Sequence, residues 1–275
     1  MNISGKNSLV LGASRGIGLA IAKALAGKGA SLALPWYDWP EDSAAMCALF
    51  QTDTEKHITI ETDLRQSGDV IKLVQQIEKQ FGRLDILINN IERGGMPVIH
   101  GAYHRSVNAG QWQREMETTL YAKWQIFEHC LPLLQKSDNG AVINISSIAA
   151  LTGRSGPAGL FFNDGYAAAN RGIQSLTHTW ARRCAPKIRV NEIMLGFFDT
   201  RHGPGTRGWK ELSKAEQQEL LNHTLVGRTG RPEEVVATVL YLLENADYMT
   251  GATIRLDGGY MLGGEEVPEM PPGVI

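Results

Sequence analysis

Leu9-Val10-Leu11-Gly12-Ala13-Ser14-Arg15-Gly16-Ile17-Gly18-Leu19-Ala20 is a short apolar run that breaks into glycines and restarts with helical spacing. Gly12, Gly16 and Gly18 let the backbone leave a strand sharply, approach a pyrophosphate closely and pack the next helix on the sheet. The amides that open that helix face the phosphates, where the helix dipole favours negative charge. With 30 glycines in the chain the spacing alone would say little. Its place between a strand pattern and a helix pattern makes it a dinucleotide-binding turn.

At 275 residues the chain is long enough for one large α/β domain, and no repeat or composition break asks for a second. A formal charge of −2 and a pI near 6.4 supply no basic face for nucleic acid and no polybasic membrane patch. Cys47, Cys130 and Cys184 show no metal-ligand spacing and read as reduced thiols. The first strand starts within a few residues of Met1, and no apolar run reaches spanning length, so a cytoplasmic protein is expected.

Outward from the glycine turn, strand and helix patterns alternate. Residues 19–28 have helical spacing and stop at Gly27 and Gly29, and 31–34 resume as a strand, completing a βαβ unit. Just past that strand the adenosine ribose is usually read by a carboxylate or an arginine. Asp38 fits the first role, Trp36 or Tyr37 could stack on adenine, and Arg15 could meet a 2′-phosphate, so NAD against NADP stays open. Residues 57–61 form a third strand. Asp63 and Leu64 follow at its carboxyl end, where adenine would be met; a helix N-cap is the plainer role for Asp63. Further helices are expected over 66–81, 111–136, 166–184 and 232–243, and further strands over 84–90, 141–147, 188–194 and 252–256. Loops at 91–109 and 196–209 interrupt the alternation, the second glycine-, proline- and arginine-rich. The fold class is α/β, a doubly wound parallel sheet of Rossmann type in a single domain over 1–262. A lid covers 196–225, and 263–275 is a proline-rich tail.

The chain resembles the short-chain dehydrogenase/reductase family along residues 5–262. The marks are the glycine turn, Asp63-Leu64, Asp85-Ile86-Leu87-Ile88-Asn89-Asn90, Asn144-Ile145-Ser146-Ser147, Tyr166, Arg189-Val190-Asn191 and Thr200, then Arg231-Pro232-Glu233-Glu234-Val235, Thr250-Gly251-Ala252 and Asp257-Gly258-Gly259. The resemblance implies a nicotinamide cofactor, NAD or NADP, across the carboxyl ends of the strands. Besides Asp38, Asp63 and Leu64 its contacts would be Gly12, Ser14, Arg15, Gly16, Ile17 and Gly18 of the turn. Asn90, Asn170, Gly196 and Thr200 would complete them. It also implies a homotetramer or homodimer joined through the helices of 111–136 and 166–184.

Carried over residue by residue, Ser147 matches the serine that hydrogen-bonds the substrate oxygen, with Ser146 as the neighbouring alternative. Tyr166 matches the tyrosine that exchanges a proton with that oxygen. Two positions depart. Asn170 stands where the family has a lysine one turn after the tyrosine, and Thr119 where it usually has an asparagine. An unperturbed tyrosine titrates near ~10, so without a nearby ammonium only about one in a thousand is phenolate at neutral pH. Alcohol oxidation suffers most from that loss, and carbonyl reduction, which needs the neutral phenol, suffers least. Asn170 can still reach a ribose hydroxyl from the face it shares with Tyr166. Arg93, after a strand end beside the expected nicotinamide, is the leading substitute cation. Lys123, one turn after Thr119, is the second, and Arg171 points away, about 100° further round the helix. Replacing Asn170 with lysine raises oxidation if the pocket is otherwise ordinary; no gain, together with loss on Arg93→Ala, argues for a site rebuilt around another cation.

The expected function is therefore an NAD(P)(H)-dependent interconversion of a carbonyl and a hydroxyl group on a small molecule, reduction favoured. Arginines in the lid segment suggest an anionic or carbonyl-rich substrate, with solvated loop charge as the plainer explanation. The alternatives are a lyase, dehydratase or isomerase in which Glu92, Asp164 or Tyr166 moves protons, and a cofactor-binding protein without turnover. His100 and His104 share helical spacing but lack a carboxylate pair, so no metal site is expected.

Overall fold

In the computed structural model the described residues are 1–91, 109–160, 162–200, 209, 212–265 and 267–273. Strands β1 (Asn7–Val10), β2 (Ser31–Trp36), β3 (His57–Glu61), β4 (Ile86–Asn89), β5 (Gly140–Ser147), β6 (Ile188–Leu195) and β7 (Thr253–Leu256) form one sheet in the order β3-β2-β1-β4-β5-β6-β7. All pairs are parallel, and the order reverses beside β1, where β4 lies on its other side. That reversal opens a crevice at the carboxyl ends of β1 and β4, the place where open α/β sheets bind ligands.

Buried side chains fall on both faces of the sheet, as its near-continuous apolar strands require. On one face α1 (Gly16–Gly27) and α9 (Pro232–Glu244) cover Val10, Leu32, Leu34, Ile86 and Ile143. On the other, α3 (Ser67–Phe81), α5 (Ala122–Leu134) and α7 (Asp164–Cys184) cover Leu9, Leu11, Leu87, Val142 and Val190. Phe127 and Trp180 stack across this second face, ring centres 3.9 Å apart.

The expected elements over 19–28, 57–61, 66–81, 141–147, 188–194 and 232–243 agree with the structure to within a few residues. Two helices without a marked apolar stripe escape the sequence pattern: α2 (Pro40–Phe50) and α8 (Lys214–His223). Between Ser147 and Tyr166, where no element was expected, α6 (Ala149–Thr152) and a 3-10 turn at Pro157–Leu160 form. The long helix expected over 111–136 is three pieces in line: α4 (Ala109–Glu115), a π segment at Met116–Tyr121, and α5. Among the described residues no helix is long and apolar enough to cross a membrane.

Candidate active site

The glycine turn builds the floor of the crevice. Gly12 and Gly16 have φ of +67° and +53°, a region that glycine enters without strain. A Cβ on Gly18 would lie 2.0 Å from the Gly12 carbonyl oxygen and 2.7 Å from Asn90 Nδ2, so no side chain fits there. Arg15 takes the N-cap of α1 without capping it, and no acidic residue occupies the first turn. The amides of Gly16, Ile17 and Gly18 are thus left for an anion. Thr200 closes over them, its methyl 3.5 Å from where a Gly16 Cβ would stand. Gly196 leaves β6 hard against Asp257, whose Cα a Cβ would approach to 2.7 Å.

Around the exit of β2, polar contacts tie three segments together. Ser14 Oγ lies 3.0 Å from Ser43 Oγ, and Ser43 donates to the Asp38 carbonyl at 2.7 Å. Arg15 stands 3.6 Å from Asp42 and lies over the Trp39 ring at 4.4 Å. The Asp38 side chain is exposed. Asp63 does not cap α3, whose N-cap is Gln66. Its carboxylate instead takes Arg65 at 2.8 and 2.7 Å, and these hydrogen bonds hold it below the usual carboxylate range. Arg65 lies 5.6 Å from the Tyr37 ring centre. Leu64 is buried, and its carbonyl accepts from Gln125 Nε2.

The strand ends beyond β1 carry the reactive side chains. Ser147 ends β5 in register with Leu195, and its Oγ accepts from the Ala149 amide at 3.2 Å. Ser146, one residue earlier, faces the opposite way and donates to the buried Glu192 at 2.5 Å, a bond that removes it as an alternative to Ser147. Tyr166 sits in the first turn of α7, capped by Asn163, whose Oδ1 accepts from the Tyr166 amide at 2.7 Å. Asn163 Nδ2 in turn donates to Glu115 Oε1 at 3.2 Å. The phenol ring belongs to one buried cluster with Ile148 and Ala149, the residues that follow Ser147. It stacks on Phe162, Phe162 on Phe197, and Phe197 meets Tyr260, with centres 5.3 to 5.7 Å apart.

Behind Tyr166 the helix face is polar and dry. Asn170 is fully buried; its Nδ2 donates to the Tyr166 carbonyl at 3.0 Å, and among the described residues its Oδ1 has no partner. Thr119 Oγ1 and Asn89 Oδ1 are likewise buried without partners among the described residues. Asn89 donates to Asn144 and Asn144 to Thr177, each at 2.8 Å. Buried acceptors are seldom left unmade, and these fit the hydroxyls of a bound ribose or ordered water. Arg171 is exposed. Glu92, Arg93, His100, His104, Phe161 and the lid arginines at 201 and 207 lie outside the described residues. Among those that are described, no group of three His, Cys, Asp or Glu could hold a metal ion.

A family profile described as enoyl-(acyl carrier protein) reductase matches residues 12–261. The chain is 31% identical to the 3-oxoacyl-[acyl-carrier-protein] reductase FabG of Vibrio cholerae over 271 residues, 95% of this chain and 100% of that one. It is 29% identical to the protein of the same name from Thermotoga maritima over 268 residues, with the same shares covered. The crystal structure of a short-chain dehydrogenase/reductase described as glucose/ribitol dehydrogenase, from Brucella melitensis, superposes with a TM-score of 0.80 at 26% identity, covering 94% of this chain and 98% of that one. The chain belongs to the short-chain dehydrogenase/reductase family. It is accordingly an NAD(P)-dependent oxidoreductase that interconverts a carbonyl and a hydroxyl group on a small molecule.

Sequence reasoning in this family finds Ser147 and Tyr166 but passes over the groups that hold them. Asn163 and Glu115 lie outside the family marks, as does the aromatic column from Phe162 to Tyr260. The one signal on the page is the recurrence of Glu115, Thr119 and Lys123 at every fourth residue of a helix that is otherwise apolar on that side.

Proposed function

We propose that the chain reduces a 3-oxoacyl thioester or a carbonyl compound of similar shape, with Ser147 holding the carbonyl oxygen and Tyr166 giving it a proton. The observation that carries this reading is the Tyr166 phenol, seated by a capped helix start in an apolar aromatic pocket next to the residues that follow Ser147. Dry aromatic walls suit a ketone beside an acyl chain. The names of the two FabG relatives give the thioester class.

When bound, the reduced dinucleotide supplies the hydride. Its pyrophosphate belongs on the amides of Gly16, Ile17 and Gly18, with Gly12, Ser14, Asn90, Gly196 and Thr200 shaping the cradle. Asp38, Asp63, Leu64 and Arg15 line the adenosine end, where a choice between NADH and NADPH rests on whether Arg15 leaves Asp42. Asn170 stands at the family's lysine position and offers its Oδ1 to the ribose; Thr119 stands at the asparagine position. Ser147 orients the substrate oxygen and Tyr166 protonates it as the alcohol forms. The neutral phenol is the form that serves reduction.

Residues 1–262 act as one domain, with 196–225 a lid over the substrate and 263–275 a tail. The helices of 109–134 and 164–184 join copies of the chain. An apolar groove of about 460 Å³ between Met116, Leu120, Trp124, Gly172 and Leu176 supports that reading. A cytoplasmic location fits the reduced thiols of Cys47, Cys130 and Cys184.

The test follows absorbance at 340 nm of NADH and NADPH in turn with acetoacetyl-CoA. Expected is net cofactor oxidation that Tyr166→Phe lowers by at least a hundredfold and Ser147→Ala by about tenfold. Dinucleotide binding without oxidation across a carbonyl panel overturns the redox reading in favour of a lyase or a binding protein.

A further inference from the structure

Glu115, Thr119 and Lys123 are all buried, at 1%, 0% and 0% exposure, four residues apart along one helix. The π segment at Met116–Tyr121 lies between the first and the last of them. Such insertions widen a helix turn and recur at functional sites. Leu120 touches α7 so closely that a Cβ on Gly172 would lie 2.9 Å from it, which packs the π segment that holds Thr119 against α7. From there the Lys123 ammonium reaches β5 and donates to the Ile145 carbonyl at 2.5 Å. Ile145 lies two residues before Ser147 and next to Asn144, which is bonded to Thr177 two turns after Asn170.

Burying an ammonium is costly even when its hydrogen bonds are made, and a methionine would fill the same volume without that cost. The described residues include a second buried cation, Arg189, but it is bonded to the Leu242, Leu243 and Ala246 carbonyls at the end of α9. Lys123 is different: it ends at the reactive end of β5. Among the described residues, Thr119 Oγ1, four residues before Lys123, and Asn170 Oδ1, one turn after Tyr166, are buried without partners. We propose that Lys123 is a positioning residue of this active site. Its ammonium, held on the Ile145 carbonyl two residues before Ser147, acts as a buried charge on the Tyr166 phenol. It thereby supplies from α5 the positive field that position 170 does not carry on α7. The inference rests on Tyr166 being the proton donor, as proposed above.

Other titratable groups stand on the elements packed round that phenol. Glu115 precedes the π segment, Glu192 of β6 takes Ser146 and Thr253, Tyr260 closes the aromatic column, and Asp164 of α7 is paired with Arg154 at 3.7 Å. None is changed in the test, so a shift on altering Lys123 reports on Lys123.

The phenol is read directly by ¹³C-tyrosine NMR titration of the cofactor-free protein, with Tyr166→Phe assigning the signal. Lys123→Gln keeps a donor for Ile145 and removes the charge. It is expected to raise the phenol's titration by about one unit, while Lys123→Arg leaves it within a few tenths. The acid limb of 3-hydroxybutyryl-CoA oxidation moves with it, and oxidation at pH 7 falls about tenfold with KM little changed. An unshifted phenol in a folded Lys123→Gln protein overturns the proposal. Asn170→Lys in the otherwise intact chain is the second reading and does not depend on the first variant folding. With an ammonium already serving the site it brings less than a twofold gain in oxidation at pH 7, and a gain of tenfold or more overturns the proposal. Should the parent protein oxidise no cofactor at all, the redox reading fails, and the NMR titration still decides where the field on Tyr166 originates.

Discussion

Asn163 holds Tyr166 by its backbone: the side-chain oxygen of the cap accepts the Tyr166 amide at 2.7 Å, and the same side chain is fixed from behind by Glu115 at 3.2 Å. The phenol therefore takes its direction from a helix start that two other residues lock, rather than from its own ring packing alone.

Removing that cap tests the relationship. Asn163→Ala is expected to lower stability by about 1 kcal/mol, the usual worth of an N-cap. It should also reduce kcat for acetoacetyl-CoA by about tenfold, because a loosened first turn lets the phenol wander from the reacting oxygen. Asn163→Ser restores the cap and most of the stability. Urea unfolding and steady-state kinetics on the two variants separate these effects.

Gly18 is the tightest position of the nucleotide cradle. In Gly18→Ala the new Cβ would meet the Gly12 carbonyl oxygen at 2.0 Å and Asn90 Nδ2 at 2.7 Å, and the first of these is backbone. The turn must open, at a cost of about 1–3 kcal/mol. Fluorescence titration with NADPH and NADH is expected to show binding weakened at least tenfold for both. Retention of normal affinity would mean that the pyrophosphate lies elsewhere.

Much of this was legible in the sequence for one physical reason. Buried parallel strands such as 86–89 and 140–147 must be continuous in apolar residues, and a glycine turn between a strand and a helix admits few other uses. What escaped was set by tertiary packing. Helices 40–50 and 214–223 lie on the surface with little apolar periodicity. Glu115 and Asn163 stand 48 residues apart and meet only when α7 docks on α4. Asp63 read first as an adenine ligand and second as a cap, since nothing in the local spacing announces that Arg65 would turn back onto it. The burial of Lys123 was not legible either, because a π turn shifts the faces of its helix, while Arg93, the better placed cation in the sequence, lies outside the described residues.

Asp85 ties the base of β4 to three other segments and sets an acid limit. Burial pushes its carboxyl up, but the Asn7 amide at 3.0 Å, Ser137 Oγ at 2.6 Å, Lys6 and Arg83 outweigh it and hold the group below its ordinary value. A carboxylate depressed in the folded state stabilises above the unfolded value near ~4, and that contribution is lost as pH falls through the folded value. Asp85→Asn should be less stable at pH 7 by about 1–3 kcal/mol, through donors left facing an amide. The gap to the parent is expected to narrow as pH falls below the unfolded value near ~4 and through the depressed folded value, and urea unfolding between pH 2.5 and 7 measures it.

Tyr260 links the far end of the chain to the substrate wall, because its phenolic oxygen accepts the Ala158 amide at 2.7 Å and its ring meets Phe197. Tyr260→Phe leaves a buried amide without its acceptor, a loss of about 1–3 kcal/mol. It also releases the segment that carries Phe162 against Tyr166. KM for acetoacetyl-CoA should then rise more than kcat falls, since the wall is loosened while the proton donor keeps its own cap at Asn163. Alkaline unfolding gives a second check. Burial pushes the Tyr260 phenol up to about 12. The unfolded chain thus loses this proton near ~10 while the folded chain keeps it, and stability drains away between those two values. In Tyr260→Phe that part of the alkaline slope disappears, so the parent and variant stability curves converge as pH rises from 9 to 11. Parallel curves over that range would show that the phenol is not buried, and with it would go the argument that residue 260 holds up the pocket.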